Sequence, residues 1–166
     1  MLTHDRLTDE QWQHVRNAPH HVIIAVSAAG GSPFDEMRER SAGLQGIVDA
    51  MHSTHPLVRE IARSDQILHA QDHVRAWYYT LDDSSRTPSR LQAQALESLT
   101  RALGILKAQG GSDDLLHYSD FVLALATRVA RAAREGDLLG VGGELVSKNE
   151  RAFMERLEIA VKDARG

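Results

Sequence analysis

The alternation of apolar and polar positions has a helical period through most of the chain, and it is most pronounced between residues 115 and 133. There the apolar side chains recur every three to four residues, which places them on one face of an α-helix. Small or apolar residues also fill the flanks of that face, so the helix must be covered on several sides. The pattern therefore predicts a buried central helix over residues 114–134.

Narrower apolar stripes predict the other helices. Two capping boxes, Thr8-Asp-Glu-Gln11 and Ser147-Lys-Asn-Glu150, and the pair Thr87-Pro88 are typical helix starts. Two stripes are predicted to face inward: Leu91, Ala95, Leu99, Ala102, Leu103 and Leu106, and Phe153, Met154, Leu157, Ala160, Val161 and Ala164. Mostly short loops join the helices, which favours antiparallel neighbours. We expect an all-α, bundle-like or orthogonal fold of about seven helices, forming one compact domain over residues 1–166.

The first third of the chain is harder to interpret. Met1–Leu7 is expected to be a loose arm, and Asn17-Ala-Pro19 is expected to end the first helix because proline removes a backbone donor. Val22–Val26 is apolar all round, so its period fits a buried strand as well as a buried helix. A helix is favoured because no other stretch offers a strand partner. Gly43 and Gly46 either weaken the next helix or mark a close helix crossing.

One arrangement occurs twice, at residues 18–53 and again at residues 114–164. In each, a nearly all-apolar helix is followed by a glycine stop and then by an amphipathic helix that starts near a serine. The connecting loops differ in length. Either an internal duplication or the independent occurrence of the same helix–glycine–helix arrangement at two places would give this pattern.

Composition excludes several classes of function. A formal net charge of −4 gives no basic field of the kind that a general nucleic-acid binder needs. The chain has no cysteine, which rules out disulfides, thiolate metal sites and cysteine catalysis. No apolar run approaches the ~18 residues that a membrane-spanning helix needs, and no signal peptide is evident. A cytoplasmic location without nucleic-acid or membrane partners is the expectation.

His69-Ala-Gln-Asp72-His73 is the best metal candidate. Histidines at i and i+4 share a helix face and can hold one divalent ion such as zinc or nickel, with Asp72 nearby. On a helical wheel this pair points away from the apolar stripe of Ile67, Ala70 and Val74. Two histidines also fall short of the three or four ligands of a typical site. An exposed clamp for adventitious metal is therefore the competing interpretation.

Two other motifs have structural explanations. The histidines at positions 20, 21, 52, 55 and 117 are scattered, and helix-end, surface or satisfied core roles account for them. At least one of His20 and His21 is expected to be neutral or exposed, because a helix start disfavours a charged imidazole. The glycine-rich stretch 136–143 is not a phosphate-binding loop, because no Gly-Lys-Ser/Thr follows it and a helix rather than a strand precedes it.

Ile24-Ala-Val-Ser-Ala-Ala-Gly-Gly-Ser-Pro-Phe-Asp-Glu36 resembles the apolar-helix, glycine-turn, acidic-helix-start pattern of TerB-like helical domains of the tellurite-resistance class. The resemblance covers about residues 20–52, with a weaker echo over residues 121–160. It implies an all-helical fold and a link to stress response and metal ions. This chain has Gly30 where the family pattern has an aspartate, which removes the metal ligand that the resemblance would imply.

Two functions remain open. The first is a non-enzymatic helical module, related to stress response, that acts by self-association as a homodimer or by binding a protein partner. It is motivated by a well-specified core without a recognisable catalytic constellation. The second is a metal-binding protein or metal-dependent hydrolase that uses His69, Asp72 and His73.

Overall fold

A computed structural model describes residues 1–28, 33–137 and 148–166. Those residues form seven α-helices and no strand, which confirms the predicted all-α fold. The helices are α1 (Asp9–Ser27), α2 (Pro33–Asp49), α3 (Pro56–Ile61), α4 (Ser64–Thr80), α5 (Pro88–Gln109), α6 (Ser112–Asp137) and α7 (Lys148–Arg165). Short 3-10 turns cover His4–Arg6 and Ala50–His52. None of the helices in these ranges is long and apolar enough to cross a membrane.

Helix α6 packs against α1, α2, α3, α5 and α7, as expected for the predicted central helix. Its inward side chains Val122, Leu125, Ala126 and Val129 are buried. Helix α1 shares the centre, because it contacts α2, α4, α5 and α6. The whole predicted stripe of α5 is buried, as are Phe153, Leu157 and Val161 of α7. The core is therefore built around the crossing of α1 and α6.

The predicted break at Asn17-Ala-Pro19 is wrong, because α1 continues through Pro19. A proline inside a helix leaves the carbonyl four residues earlier without its backbone donor. Here that carbonyl belongs to Val15, and it accepts a hydrogen bond of 2.8 Å from the hydroxyl of Tyr118 on α6. A tertiary contact supplies the donor that the helix lacks, so Val22–Val26 lies in the same helix.

The N-terminal segment is docked, which corrects the expectation of a loose arm. Leu2 is fully buried, and its backbone N–H donates to the carboxylate of Asp114 at 2.9 Å. The N–H of His4 donates to Glu60 on α3 at 3.2 Å. Burial of one leucine is worth roughly 1.5–3 kcal/mol, and it acts together with these hydrogen bonds to hold the segment against the helices.

The glycines of α2 mark a close helix crossing, one of the two roles left open by the sequence. A Cβ on Gly43 would lie 2.8 Å from side-chain atoms of Ile23 and Val129, and one on Gly46 would lie 2.6 Å from Leu125. These distances are shorter than van der Waals contact. The missing side chains therefore let α2 approach α1 and α6 closely.

Helix boundaries agree with most of the sequence signals. Thr8 and Gln11 form the predicted capping box, with hydrogen bonds of 3.2 and 3.1 Å. The predicted helix start at Thr87-Pro88 is present, and α2 ends at Asp49, where a 3-10 turn follows it. The glycine turn at 30–31, the loop at 138–143 and the Ser147 cap lie outside the described residues.

Candidate functional site

The predicted metal residues lie on the outer face of α4. His69 and His73 are exposed and line a cleft of about 630 Å³, with His4 and Asp9 among its other walls. Asp72 lies beside them, 3.5 Å from the guanidinium of Arg75. His69 and His73 point away from the core, as the helical wheel indicated. Within the ranges that the structure describes, no group of three or more histidine or acidic side chains is arranged to hold one metal ion. Metal binding by His69, Asp72 and His73 stays a prediction.

A second polar cluster lies at the N-terminus of α6. His55 is buried, and its Nε2 atom lies 3.3 Å from Asp113 and 3.5 Å from Asp114. Its ring stacks on His117 with 4.5 Å between the ring centroids. The carboxylate of Asp114 accepts backbone N–H groups of Leu2 and Gly111.

Burial of Asp114 opposes its ionisation, but the hydrogen bonds from Gly111 and Leu2 and the charge of His55 keep its pKa below the usual value. An ionised carboxylate here satisfies backbone donors of two separate segments. The cluster therefore serves to tie the N-terminal segment and the start of α3 to α6, and its histidine-carboxylate contacts have a structural explanation.

Two buried glutamates were not identified from the sequence. Glu39 on α2 is 2% exposed and Glu150 on α7 is 5% exposed. Burial, and then the charge of Glu150, raise the pKa of Glu39 to about 7. The run Asp35-Glu-Met-Arg-Glu39-Arg40 looks solvent-facing when it is read alone. The spacing could have indicated that Glu39 is buried. It lies four residues before Gly43 and eight before Ile47, and residues at this spacing share one helix face.

Adjacent histidines of α1 are held neutral. Burial, and then the charge of neighbouring imidazoles, lowers the pKa of His20 to about 3 and that of His21 to about 4. His21 contacts Ser98 through Nδ1 at 2.8 Å and packs edge-on against Trp77. His20 is 4% exposed, and its Nε2 makes no hydrogen bond with any described residue.

An apolar groove runs between α5 and α7, with a volume of about 560 Å³. Its floor contains Leu103, Gly104 and Ala160, and the side chain of Ile159 stands 57% exposed at its edge. The rim carries charges of both signs: Lys107, Arg156 and Asp163. This groove, called the α5–α7 groove below, offers apolar surface to something outside the chain.

Sequence patterns could have indicated the α5–α7 groove in part. Ile159 lies off the apolar stripe of α7, opposite Phe153 and Leu157, and so on a face that is otherwise polar. Gly104 interrupts α5 where alanine would serve the helix better. Neither signal indicates that the two residues line one groove, because that follows from how α7 packs on α5.

No family model, curated protein or solved structure matches this chain. These comparisons therefore do not bear on the resemblance of residues 20–52 to TerB-like domains, which stays a prediction.

Proposed function

We propose that this protein is a non-enzymatic helical module that acts by self-association, with two copies meeting at the α5–α7 groove. The observation that carries the proposal is that Gly104 and Ile159 line the same groove. One position without a side chain and one exposed isoleucine therefore belong to a single surface. A two-fold interface requires one patch that is complementary to itself, and a hollow next to a projection meets that requirement.

Among the residues that the structure describes, no close contact requires a glycine at position 104. A Cβ at this position would meet nothing within 4 Å, in contrast to the α2 glycines, whose Cβ atoms would overlap neighbouring side chains. Glycine inside a helix costs roughly 0.5–1 kcal/mol relative to alanine. A side chain from a second copy that packs directly on the α5 backbone would account for that cost.

The rim charges support a second copy rather than a strongly charged partner. Lys107 and Arg156 are basic and Asp163 is acidic, so a two-fold arrangement can place opposite charges across from each other. The apolar floor supplies the main driving force, because each 100 Å² of apolar surface removed from water is worth roughly 2.5 kcal/mol. We propose that Ile159 of each copy inserts above Gly104 of the other.

A charged substitution at Ile159 tests the proposal. Ile159→Asp would place a carboxylate against the apolar floor and should shift the population to monomer in sedimentation velocity. The matched control is Leu68→Asp on α4, because Leu68 is 61% exposed and lies outside the groove. Equal effects of the two substitutions, or none from Ile159→Asp, would assign self-association to another surface.

Metal binding is the second candidate. The cleft beside α4 supports it, because His4 and Asp9 line the same space as His69 and His73. His4 or Asp9 would then supply a third ligand beside the i, i+4 pair for zinc or nickel. Because residues 20–52 resemble TerB-like domains, we propose that self-association or metal binding serves a stress response.

A further inference from the structure

A small cavity lies between α1, α2 and α4, on elements that do not form the α5–α7 groove. It has a volume of about 220 Å³. Its apolar walls are Ile23, Ile24, Leu44 and Val74, and its polar lining residues are His20, Gln71, Arg40 and Arg75. This volume lies below the roughly 300–1,000 Å³ of drug-sized ligand sites, so a smaller molecule would fill it.

His20 provides an unused hydrogen-bonding atom in the cavity wall. The side chain is 4% exposed, and Nε2 has no hydrogen-bond partner among the described residues. Buried polar atoms are almost always paired, and one that is not needs an explanation. Its low pKa keeps the imidazole neutral, so the ring can exchange a hydrogen bond with a hydroxyl group without bringing a charge into the apolar space.

Arg40 lies toward the opposite end of the cavity. Its Nε donates to the hydroxyl of Ser27 at 3.3 Å, and its guanidinium lies over the ring of Tyr78 at 5.3 Å. Because Arg40 approaches Ser27 while Gly43 packs on Ile23, α2 runs antiparallel to α1 here.

The positions of these groups along α1 set the spacing of the polar ends. His20 is seven residues before Ser27, which corresponds to about 10 Å along the helix axis. Glu36 pairs with Arg40, which also contacts Ser27 and Tyr78, so Arg40 is held in place and has further N–H donors for a ligand. Arg75 is exposed and lies 3.5 Å from Asp72, so it is free to turn toward a ligand.

We propose that this cavity binds a small carboxylate with an apolar, ring-sized body and a hydroxyl group at its far end. The carboxylate would bind Arg40 and Arg75, since guanidinium groups offer paired donors to carboxylates. The body would pack between Ile23, Leu44 and Val74. The hydroxyl would reach His20 Nε2, with the side-chain amide of Gln71 beside it. Para-hydroxyphenylpropanoate combines these three features and is the probe of choice.

The test is calorimetric titration of the full chain with three probes. Para-hydroxyphenylpropanoate is expected to bind with a dissociation constant below about 1 mM. Phenylpropanoate lacks the hydroxyl and should bind at least about tenfold more weakly, because His20 is then left unpaired. Tyramine keeps the hydroxyphenyl group but replaces the carboxylate by an ammonium, and it should not bind. No heat with the first probe, or equal binding of all three, would overturn the proposal.

A pair of variants tests the carboxylate end. Arg40→Gln should weaken binding of para-hydroxyphenylpropanoate by at least about tenfold. Arg101→Gln is the matched control, because Arg101 pairs with Glu97 four residues away, as Arg40 pairs with Glu36, and lies outside the cavity. Thermal melts establish that both variants are folded. Equal affinities of the two variants for para-hydroxyphenylpropanoate would contradict a role for Arg40. If Arg40→Gln does not fold, the titration of the unsubstituted chain with the three probes still tests the proposal.

Discussion

The hydroxyl of Tyr118 donates a hydrogen bond of 2.8 Å to the carbonyl oxygen of Val15. That carbonyl lies four residues before Pro19, so it is the one that a helix-interior proline leaves without a backbone donor. Tyr118 is fully buried, and its burial raises the pKa of the phenol, which stays protonated. The contact joins α1 to α6 at the point where the backbone of α1 most needs support.

Removal of that hydroxyl should destabilise the fold. We expect Tyr118→Phe to lower the free energy of unfolding by about 1–3 kcal/mol, because a buried carbonyl loses its partner. In a Pro19→Ala background the new N–H can pair with Val15, so the same substitution should cost less. Urea unfolding of the four chains gives the coupling energy. A cost of Tyr118→Phe that is equal in both backgrounds would show that the hydroxyl does not compensate for Pro19.

Glu39 should make stability depend on pH. Its pKa is raised from 4.5 to about 7, so the folded state retains the proton to higher pH than the unfolded chain does. Its contribution is fully present below pH 4.5, falls as pH rises and is lost above about 7. At about 1.4 kcal/mol per pH unit, the loss is at most about 3.5 kcal/mol.

Replacement of Glu39 by glutamine tests this effect. Glu39→Gln should flatten the fall in unfolding free energy across that pH range and be more stable than the original chain at pH about 8. Glu155→Gln, on the exposed face of α7, is the control and should leave the pH profile unchanged. A profile for Glu39→Gln that still falls like that of the original chain would contradict the assignment.

The two kinds of glycine should respond oppositely to alanine. Gly43→Ala would press a methyl group against Ile23 and Val129 at 2.8 Å, and we expect a loss of about 1–3 kcal/mol through overpacking. Gly104→Ala meets nothing within 4 Å and should raise the stability of the monomer by about 0.5–1 kcal/mol. Chemical denaturation at low protein concentration measures both. A neutral or stabilising effect of Gly43→Ala would show that the helix crossing at Gly43 relaxes freely.

Metal binding can be tested without a purification tag. If His69 and His73 act as a clamp, zinc or nickel should bind in calorimetry, and His69→Ala should weaken that binding by about tenfold or more. His52→Ala, away from the α4 cleft, is the control. Binding that is unaffected by His69→Ala would locate the metal elsewhere, and stoichiometric metal in untagged protein would support a physiological site.

Helix content and most helix boundaries followed from local patterns, because capping residues, prolines and apolar periods act within a few positions. The stripe from Leu91 to Leu106 is an example, since every predicted position is buried. Pro19 was misjudged because its compensation comes from Tyr118, about one hundred residues later in the chain. Local rules weigh the cost of a proline but contain no information about a distant donor.

The candidate sites depend on the same kind of distant relationship. Exposure of His69 and His73 followed from the helical wheel, but their neighbours His4 and Asp9 come from another segment. The pairing of Gly104 with Ile159 requires the packing of α7 on α5, and the contact of Arg40 with Ser27 requires that of α2 on α1. Tertiary packing rather than residue type creates these sites.

The mass of the protein in solution tests self-association most directly. Sedimentation equilibrium should be run on untagged, full-length chain over a range of micromolar concentrations. Self-association predicts a mass that rises with concentration toward twice the chain mass of 18.4 kDa, and a fall back to one chain mass for Ile159→Asp. A single species of 18.4 kDa at every concentration would contradict the proposed role of the α5–α7 groove.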